Sequence, residues 1–139
     1  MDTLKKFSDR GYVVTETGPV YYTMDMDQTV AWFEDVLGWY AEIDERNADG
    51  KGMYGCVYSL PKEIEVLHIA PFTGIHLFFG EPKTRAIALM QVRGIDALHA
   101  FVKARGWTQI TEVQKQPWGA KMCQITTADG CVLQFFELA

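Results

Sequence analysis

The sequence has no continuous apolar stretch of the roughly 20 residues that a membrane-spanning helix requires. Its first residues, MDTLKKFSDRGYVV, also lack the long apolar segment of a secretory signal. We therefore expect a cytoplasmic protein that has no membrane as a partner.

Clustered positive charge is absent as well. No run of Lys or Arg occurs, and 13 basic residues stand against 18 acidic ones, which gives a net charge of −5. Binding to nucleic acid or to an anionic membrane depends on clustered basic side chains. The charge distribution therefore argues against both kinds of partner.

Cysteine is scarce. The three cysteines, Cys56, Cys123 and Cys131, show no Cys-x-x-Cys spacing, and each lies in an apolar, strand-like segment. We interpret them as small core residues, and a reactive thiol is the alternative.

The apolar content is that of one compact domain, since 48% of the 139 residues are hydrophobic. Apolar stripes at helical spacing predict two helices, in MDQTVAWFEDVLGW (26–39) and GIDALHAFVKARGW (94–107). Asp25 or Asp27 can cap the first helix, and Gly38 is expected to stop it.

A short apolar strand precedes each helix and three strand-like runs follow it, so the order β-α-β-β-β occurs twice. The predicted strands are 19–24, 39–46, 54–60 and 75–80 in the first half, and 86–92, 108–115, 120–127 and 131–138 in the second.

The closing strands of the two halves, GIHLFFGE and GCVLQFFE, align residue by residue, with Leu77 on Leu133 and Glu81 on Glu137. This agreement indicates an internal repeat. Charged residues, Gly and Pro cluster in GEPKTR at 80–85, where we place the boundary between the two units.

Two βαβββ units, with DMDQTVAWFEDVLGW opening the first and WGAKMCQITTADGCVLQFFE closing the second, resemble the vicinal oxygen chelate superfamily. This superfamily includes glyoxalase I, extradiol dioxygenases and bleomycin-resistance proteins. The resemblance implies one α+β domain over residues 1–139, with module one at about 17–82 and module two at about 84–138. The two modules would form a curved, mixed-sheet half-barrel around a cavity, with the helices outside.

The resemblance also bears on metal binding. Metal-dependent members hold the ion with side chains from the first and last strands of each module, commonly His or Glu. Carried over to this sequence, those positions fall on Gly18, Phe78, Ile87 and Gln134, which offer no imidazole, carboxylate or thiolate. A shift of one residue does not assemble a ligand set either. We therefore predict no metal and no other cofactor.

Strand alternation selects the side chains that line the cavity. If Ile75 and Leu77 face the helix, His76 and Phe78 point into the cavity. The same reasoning, with Trp118 placed at the rim by the family resemblance, gives the predicted ligand-binding residues: Tyr22, His76, Phe78, Gln91, Trp118 and Gln134. The alternative for the aromatic members of this set is that they fill a core.

The three histidines differ in their expected roles. His76 is either a polar lining residue or a general base. His99 lies outside the apolar stripe of the second helix, so we expect it to be solvent-exposed. His68 falls in a loop or short strand of uncertain path.

Two classes of function remain open. The first is metal-independent binding of a small, aromatic or hydrophobic molecule, as sequestration or ligand sensing, and the missing metal ligands favour it. The alternative is a glyoxalase-type lyase or a dioxygenase-like enzyme with an altered metal site. The resemblance also implies a homodimer, in which modules from two chains build each cavity.

Overall fold

The computed structural model describes residues 2–13, 18–61 and 73–139, so His68 lies outside the described residues. The elements of the first half are α1 (Thr3–Asp9), β1 (Val20–Thr23), α2 (Met26–Trp32), β2 (Tyr40–Arg46), β3 (Gly52–Tyr58) and β4 (Gly74–Phe79). Those of the second half are β5 (Ala86–Gln91), α3 (Ile95–Ala104), β6 (Gln114–Lys115), β7 (Lys121–Thr126) and β8 (Val132–Glu137).

The strands form two four-stranded sheets with the same plan, in the orders β1-β4-β3-β2 and β5-β8-β7-β6. In each sheet the first strand pairs in parallel with the last, and the remaining pairs are antiparallel. Over the residues that the structure describes, neither sheet closes into a barrel. The predicted α+β fold of two βαβββ modules is thereby confirmed.

The first predicted helix begins and ends where the sequence indicates. The carboxylate of Asp25 accepts a hydrogen bond from the backbone N–H of Gln28 at 3.1 Å. After Trp32 the helix widens into one π-helical turn, Phe33–Leu37, and Gly38 ends it with a φ of 71°. A glycine takes this left-handed conformation without the strain that a Cβ brings.

The N-terminus of α3, the second predicted helix, is capped by a residue from a distant part of the chain. Glu137, at the end of β8, accepts hydrogen bonds from the backbone N–H groups of Gly94 at 2.8 Å and Ile95 at 3.1 Å. These two hydrogen bonds hold the pKa of Glu137 below its ordinary value. The last strand therefore supplies the acceptor that the first turn of α3 needs.

The helix-facing sides of both sheets contribute to one core. Trp32 of α2 meets Trp107 of the second half edge to face, with ring centroids 5.4 Å apart. The same core contains fully buried aliphatic residues from both halves: Val57, Ile75, Leu77, Ile95, Val102, Ile125 and Leu133. The two modules therefore share the apolar surface that stabilises them.

A buried polar network also joins the two halves. The Tyr21 hydroxyl donates to Asp129 Oδ2 at 2.6 Å and contacts Thr127 Oγ1 at 2.6 Å. Thr29 donates to the same carboxylate at 2.8 Å, and Thr23 donates to its other oxygen at 3.3 Å. Burial, reinforced by Asp129, raises the pKa of Tyr21 well above its ordinary value. The turn between β7 and β8 is thus tied to β1 and α2.

Two expectations need correction, and one helix was missed. The predicted strand over 108–115 is shorter, because only Gln114–Lys115 pairs as a strand, with one further bridge from Ile110 to Ile125. His99 is not solvent-exposed, because the chain after α3 returns along the helix and brings Glu112 within 3.7 Å of the imidazole, whose side chain is 17% exposed. Helix α1 was not predicted at all.

The cysteines divide into two groups. Cys123 and Cys131 are buried, 2% and 1% exposed, as predicted for core residues. Burial raises the pKa of Cys123 to about 11 and also raises the pKa of Cys131. Cys56 is only half-buried, so its interpretation as a core residue was wrong.

Candidate functional site

Each sheet has one face toward the shared core and an opposite, open face. On β4, Ile75 and Leu77 are fully buried, whereas His76 and Phe78 between them are partly exposed on the other face. On β1, buried Tyr21 alternates in the same way with partly exposed Tyr22. Candidate binding residues therefore lie on the open faces.

One row across the first sheet carries three chemically active side chains. His76 on β4 pairs with Val20 on β1 and with Cys56 on β3, and Cys56 pairs in turn with Glu42 on β2. Directly opposed residues of neighbouring strands share a face and lie close together. An imidazole, a thiol and a carboxyl group therefore stand side by side.

Cys56 and His76 of this row, together with Tyr54 of the neighbouring row, form what we call the thiol–imidazole cluster. Nδ1 of His76 lies 3.0 Å from the Tyr54 hydroxyl and 3.6 Å from Sγ of Cys56, and the hydroxyl lies 3.6 Å from the sulfur. A Cβ added at Gly18 would stand 3.3 Å from Cδ2 of His76, so the glycine leaves room for the imidazole ring.

The neighbouring row of the same open face is aromatic. The rings of Tyr22 and Phe78 have centroids 5.8 Å apart, and those of Phe78 and Tyr54 are 5.0 Å apart. Nζ of Lys83 lies 4.6 Å from the centre of the Tyr22 ring. We call Tyr22, Phe78 and Tyr54 the aromatic row, because the three rings form a continuous strip across three strands.

The open face of the second sheet carries amides instead. Gln134 on β8 pairs with Leu89 on β5 and with Gln124 on β7, and Gln91 pairs with Phe136. Leu89 is 59% exposed, although it lies in the middle of a strand. This face therefore combines hydrogen-bonding groups with apolar surface that its own chain leaves in contact with solvent.

A cleft of about 630 Å³ lies between β5 and the ends of the strands of the first module. Its lining includes Gly18, Trp39, Gly74, Ile87, Gln91 and Leu98. Two of the four positions carried over from metal-dependent relatives, Gly18 and Ile87, thus meet in one cleft.

The structure places five of the six predicted ligand-binding residues on the two sheets and one in a turn. It brings Tyr22, His76 and Phe78 together on the first sheet and places Gln91 and Gln134 on the second. Trp118 lies in the turn between β6 and β7 and is 61% exposed. Their roles in binding stay predictions.

Two residues of the thiol–imidazole cluster were missed from the sequence. Alternation in GMYGCVY could have placed Tyr54 and Cys56 on one face. Their position beside His76 depends on the register between β3 and β4, which no local pattern specifies.

The side chains at the four positions carried over from metal-dependent relatives do not fit a transition-metal site. Gly18, Phe78, Ile87 and Gln134 contribute one amide and no imidazole, carboxylate or thiolate. Within 2–13, 18–61 and 73–139, no three His, Cys, Asp or Glu side chains are grouped so that they could hold a metal ion.

Similarity to known proteins agrees with this architecture. A family model for the bleomycin resistance protein domain matches residues 18–80. A solved structure from Clostridium phytofermentans, described as a glyoxalase-related enzyme, is 55% identical, covers 94% of this chain and 99% of its own, and has a TM-score of 0.84. The chain belongs to the vicinal oxygen chelate superfamily.

More distant relatives share the superfamily fold. A bleomycin-binding protein solved with bleomycin is 15% identical over 91% of this chain and 100% of its own, with a TM-score of 0.65. An antibiotic-binding protein from Streptomyces sp. CB03234 is 16% identical over 92% and 100%, also with a TM-score of 0.65. No curated protein sequence matches the chain. In the part of the chain that the structure describes, no helix has the length and apolarity to cross a membrane.

Proposed function

We propose that this superfamily member binds a small aromatic or hydrophobic molecule, without a metal, and sequesters it. The aromatic row carries this proposal, because three rings spaced 5.0 and 5.8 Å apart stand on the face directed away from the helices. A flat ligand gains about 0.5–1.5 kcal/mol per aromatic contact beyond the burial of its area.

The second sheet would supply the polar part of recognition. Gln134 faces away from buried Leu133 and Phe135, with Gln124 opposite it on β7. Gln134 is partly exposed, and a ligand that covers its amide without a hydrogen bond would incur a cost of about 1–3 kcal/mol, so a ligand that hydrogen-bonds to Gln134 is favoured over one that cannot. Gln134 would therefore affect the selectivity for a ligand more than the affinity for it.

The binding activity named for distant relatives supports this proposal. One is a bleomycin-binding protein and another an antibiotic-binding protein, each with the same fold over at least 91% of this chain. We propose that the whole chain acts as one domain, with modules at about 17–82 and 84–138, and that its role is sequestration of this kind.

A second copy of the chain would complete the site. Among the described residues, strands β1 and β5 each have a neighbouring strand on one side only, and apolar side chains on them are exposed, Val20 to 40% and Leu89 to 59%. Unpaired strand edges and exposed apolar surface are features that association covers. Light scattering at micromolar concentration should give twice the mass of the 15.8 kDa chain, and a monomer mass would contradict the proposal.

An enzyme is the second candidate, because the relative that is 55% identical is described as glyoxalase-related. His76, 3.0 Å from the Tyr54 hydroxyl, provides a group that can take up and release a proton. Turnover that requires an added divalent ion would favour this candidate over metal-free binding.

The test is a titration of purified protein with aromatic antibiotics, including bleomycin, and with aromatic dyes, followed by tryptophan fluorescence. Phe78→Ala should weaken binding about tenfold, since 1.4 kcal/mol corresponds to a factor of about ten. Gln134→Leu should reduce discrimination between polar analogues. Gln28→Leu, an exposed amide on α2, is the matched control and should change neither property.

Trp118→Ala tests the predicted rim position and should also weaken binding about tenfold. The affinity should survive treatment with a chelator, and elemental analysis should find no stoichiometric transition metal. Wild-type affinity in Phe78→Ala, Trp118→Ala and Gln134→Leu would place the site elsewhere.

A further inference from the structure

We propose that Cys56 is a nucleophile that His76 activates, and that this pair captures flat electrophiles, such as conjugated carbonyl compounds, by a covalent bond. The proposal rests on the binding function above and names the chemical class of its ligand. It concerns the thiol–imidazole cluster, which binding by stacking alone does not use.

Cys56 differs from the other two cysteines in its surroundings. Cys123 and Cys131 lie in the core, and burial raises the pKa of both thiols. Cys56 is half-buried on the open face, beside the aromatic row. Only a thiol that a ligand can reach and that loses its proton readily acts as a nucleophile, and Cys56 alone meets the first condition.

His76 meets the second condition. Its Nδ1 lies 3.6 Å from Sγ of Cys56, which is within the sulfur hydrogen-bond range, so the imidazole can accept the thiol proton. The Tyr54 hydroxyl, 3.0 Å from Nδ1 and 3.6 Å from the sulfur, fixes the ring and can donate to the thiolate. Tyr54 is thus a positioning residue.

The charged neighbours act in opposite directions. Among the described residues, the titratable side chains that pair with Cys56 in the sheet or contact its sulfur are Glu42 on β2, Tyr54 on β3 and His76 on β4. A carboxylate at Glu42 disfavours the thiolate form of Cys56 in the resting protein, whereas a protonated His76 favours it. The imidazole therefore acts as a general base during the reaction.

The reaction is a conjugate addition. The Cys56 thiol gives its proton to Nδ1 of His76, and the sulfur forms a bond to the β-carbon of the electrophile. The electron pair of the C=C bond moves to the carbonyl oxygen as an enolate. The imidazolium then returns the proton to the enolate, so no oxidant, reductant or leaving group is required.

The aromatic row explains why the electrophile is flat. Phe78 and Tyr54 lie 5.0 Å apart, and Tyr54 also contacts the sulfur. A conjugated ring stacked on this pair has its edge near Cys56, which holds the reacting carbon close to the thiol. A small electrophile without a ring gains no such positioning.

The test uses N-phenylmaleimide as the flat electrophile and iodoacetamide as the small one, with intact-mass spectrometry and peptide mapping. At pH 7, Cys56 should react with N-phenylmaleimide about tenfold faster than glutathione does. Cys123 and Cys131 should stay unmodified in the folded protein. The advantage over glutathione should be smaller with iodoacetamide.

His76→Gln separates activation from position, because the amide can still hydrogen-bond to Tyr54. The rate should fall about tenfold, and the pH midpoint of the reaction should rise to the ordinary thiol value of about 8.5. The wild-type pH profile is a readout that requires no variant: its midpoint should lie below that of glutathione. A wild-type rate and midpoint equal to those of glutathione, or no effect of His76→Gln, would overturn the proposal.

A saturated analogue distinguishes this proposal from the binding function. N-phenylsuccinimide cannot form the bond, so its affinity reports on reversible binding alone. Reversible binding of the analogue or of an aromatic dye, without fast alkylation of Cys56, would refute covalent capture and leave sequestration intact. If neither the analogue nor an aromatic dye binds reversibly, but Cys56 is alkylated fast, sequestration is refuted instead.

Discussion

Replacing Tyr21 by Phe should destabilise the protein strongly, although it removes a single oxygen atom. The hydroxyl is fully buried, donates to Asp129 at 2.6 Å and contacts Thr127 at 2.6 Å. The phenyl ring keeps its edge-to-face contact with Phe33 at 5.8 Å, so the loss is confined to hydrogen bonding. The change therefore measures what the polar network between the two halves contributes.

The magnitude follows from the two contacts that are lost. A hydrogen bond to a charged group contributes about 1.5–3 kcal/mol, and a neutral one about 1 kcal/mol. The free energy of unfolding should therefore fall by about 2–4 kcal/mol, out of a total of about 5–15 kcal/mol for a domain of this size. Thr127 retains the bond from the backbone N–H of Cys131 at 3.2 Å, which limits the loss on that side.

Urea unfolding at one protein concentration, followed by tryptophan fluorescence, measures this change from the midpoint at constant slope. Tyr40→Phe is the matched control, because Tyr40 is 45% exposed, and it should change the free energy by less than about 0.5 kcal/mol. A double-mutant cycle with Asp129→Asn should give a coupling energy above about 1 kcal/mol. A Tyr21→Phe effect no larger than that of Tyr40→Phe would refute the reasoning.

The pH dependence gives a second check. The pKa of Tyr21 is raised in the folded state. The contribution of its hydroxyl to the free energy of unfolding is therefore complete below the unfolded-state pKa of about 10 and decreases as the pH rises above that value. Above pH 10 the unfolded state loses this proton and the folded state keeps it. The difference in stability between wild type and Tyr21→Phe should therefore narrow by about 1.4 kcal/mol per pH unit.

Glu137→Gln should lower the thermal midpoint at neutral pH, because the charged cap of Gly94 and Ile95 is lost. The pKa of Glu137 is lowered in the folded state, so the stability that its charge adds to the wild type is complete above about pH 4.5 and is lost as the pH falls through the folded pKa. The thermal midpoints of the two proteins should therefore converge in acid, and melting curves at a series of pH values measure this. Gly38→Ala should cost about 1–2 kcal/mol from its φ of 71°, plus a contribution from the Phe101 ring, which a new Cβ would approach to 2.9 Å. Gly106 has a φ of 86°, and apart from its chain neighbours no atom of the described residues lies within 4 Å of a Cβ added there, so Gly106→Ala carries the backbone cost alone. Equal urea midpoints for the two variants would contradict a role for Phe101.

Local patterns were sufficient for the order of the elements in the two modules, whereas the arrangement of the sheets came from the family resemblance. Helical spacing and Gly38 gave the first helix, and alternation separated His76 and Phe78 from Ile75 and Leu77. These features depend on residues close together in the chain, where periodicity and capping act. Helix α1 escaped prediction because none of its side chains is buried, although Asp2 offered a capping signal.

The composition of the site required information that the sequence does not carry locally. Cys56 and His76 meet only through the register of β3 and β4, and a slip of one residue would turn either side chain to the core. In the sequence, Asp129 beside Gly130 indicates a turn. In the structure, its carboxylate also accepts hydrogen bonds from hydroxyl groups of the other module. Both contacts are set by tertiary packing, which overrides the local meaning of each residue.

The bond between Tyr21 and Asp129 has a consequence for how the protein is made, because 108 positions separate its two residues. A ribosome adds about 5–20 residues per second, so about 5–20 s pass between the synthesis of the donor and of its acceptor. During that interval Tyr21 lacks its partner from the second module, and Trp32 lacks Trp107 until 75 further residues have been added after it. The first module therefore emerges with its core-facing side incomplete, and the nascent chain depends on the arrival of its last hairpin before it is protected from aggregation.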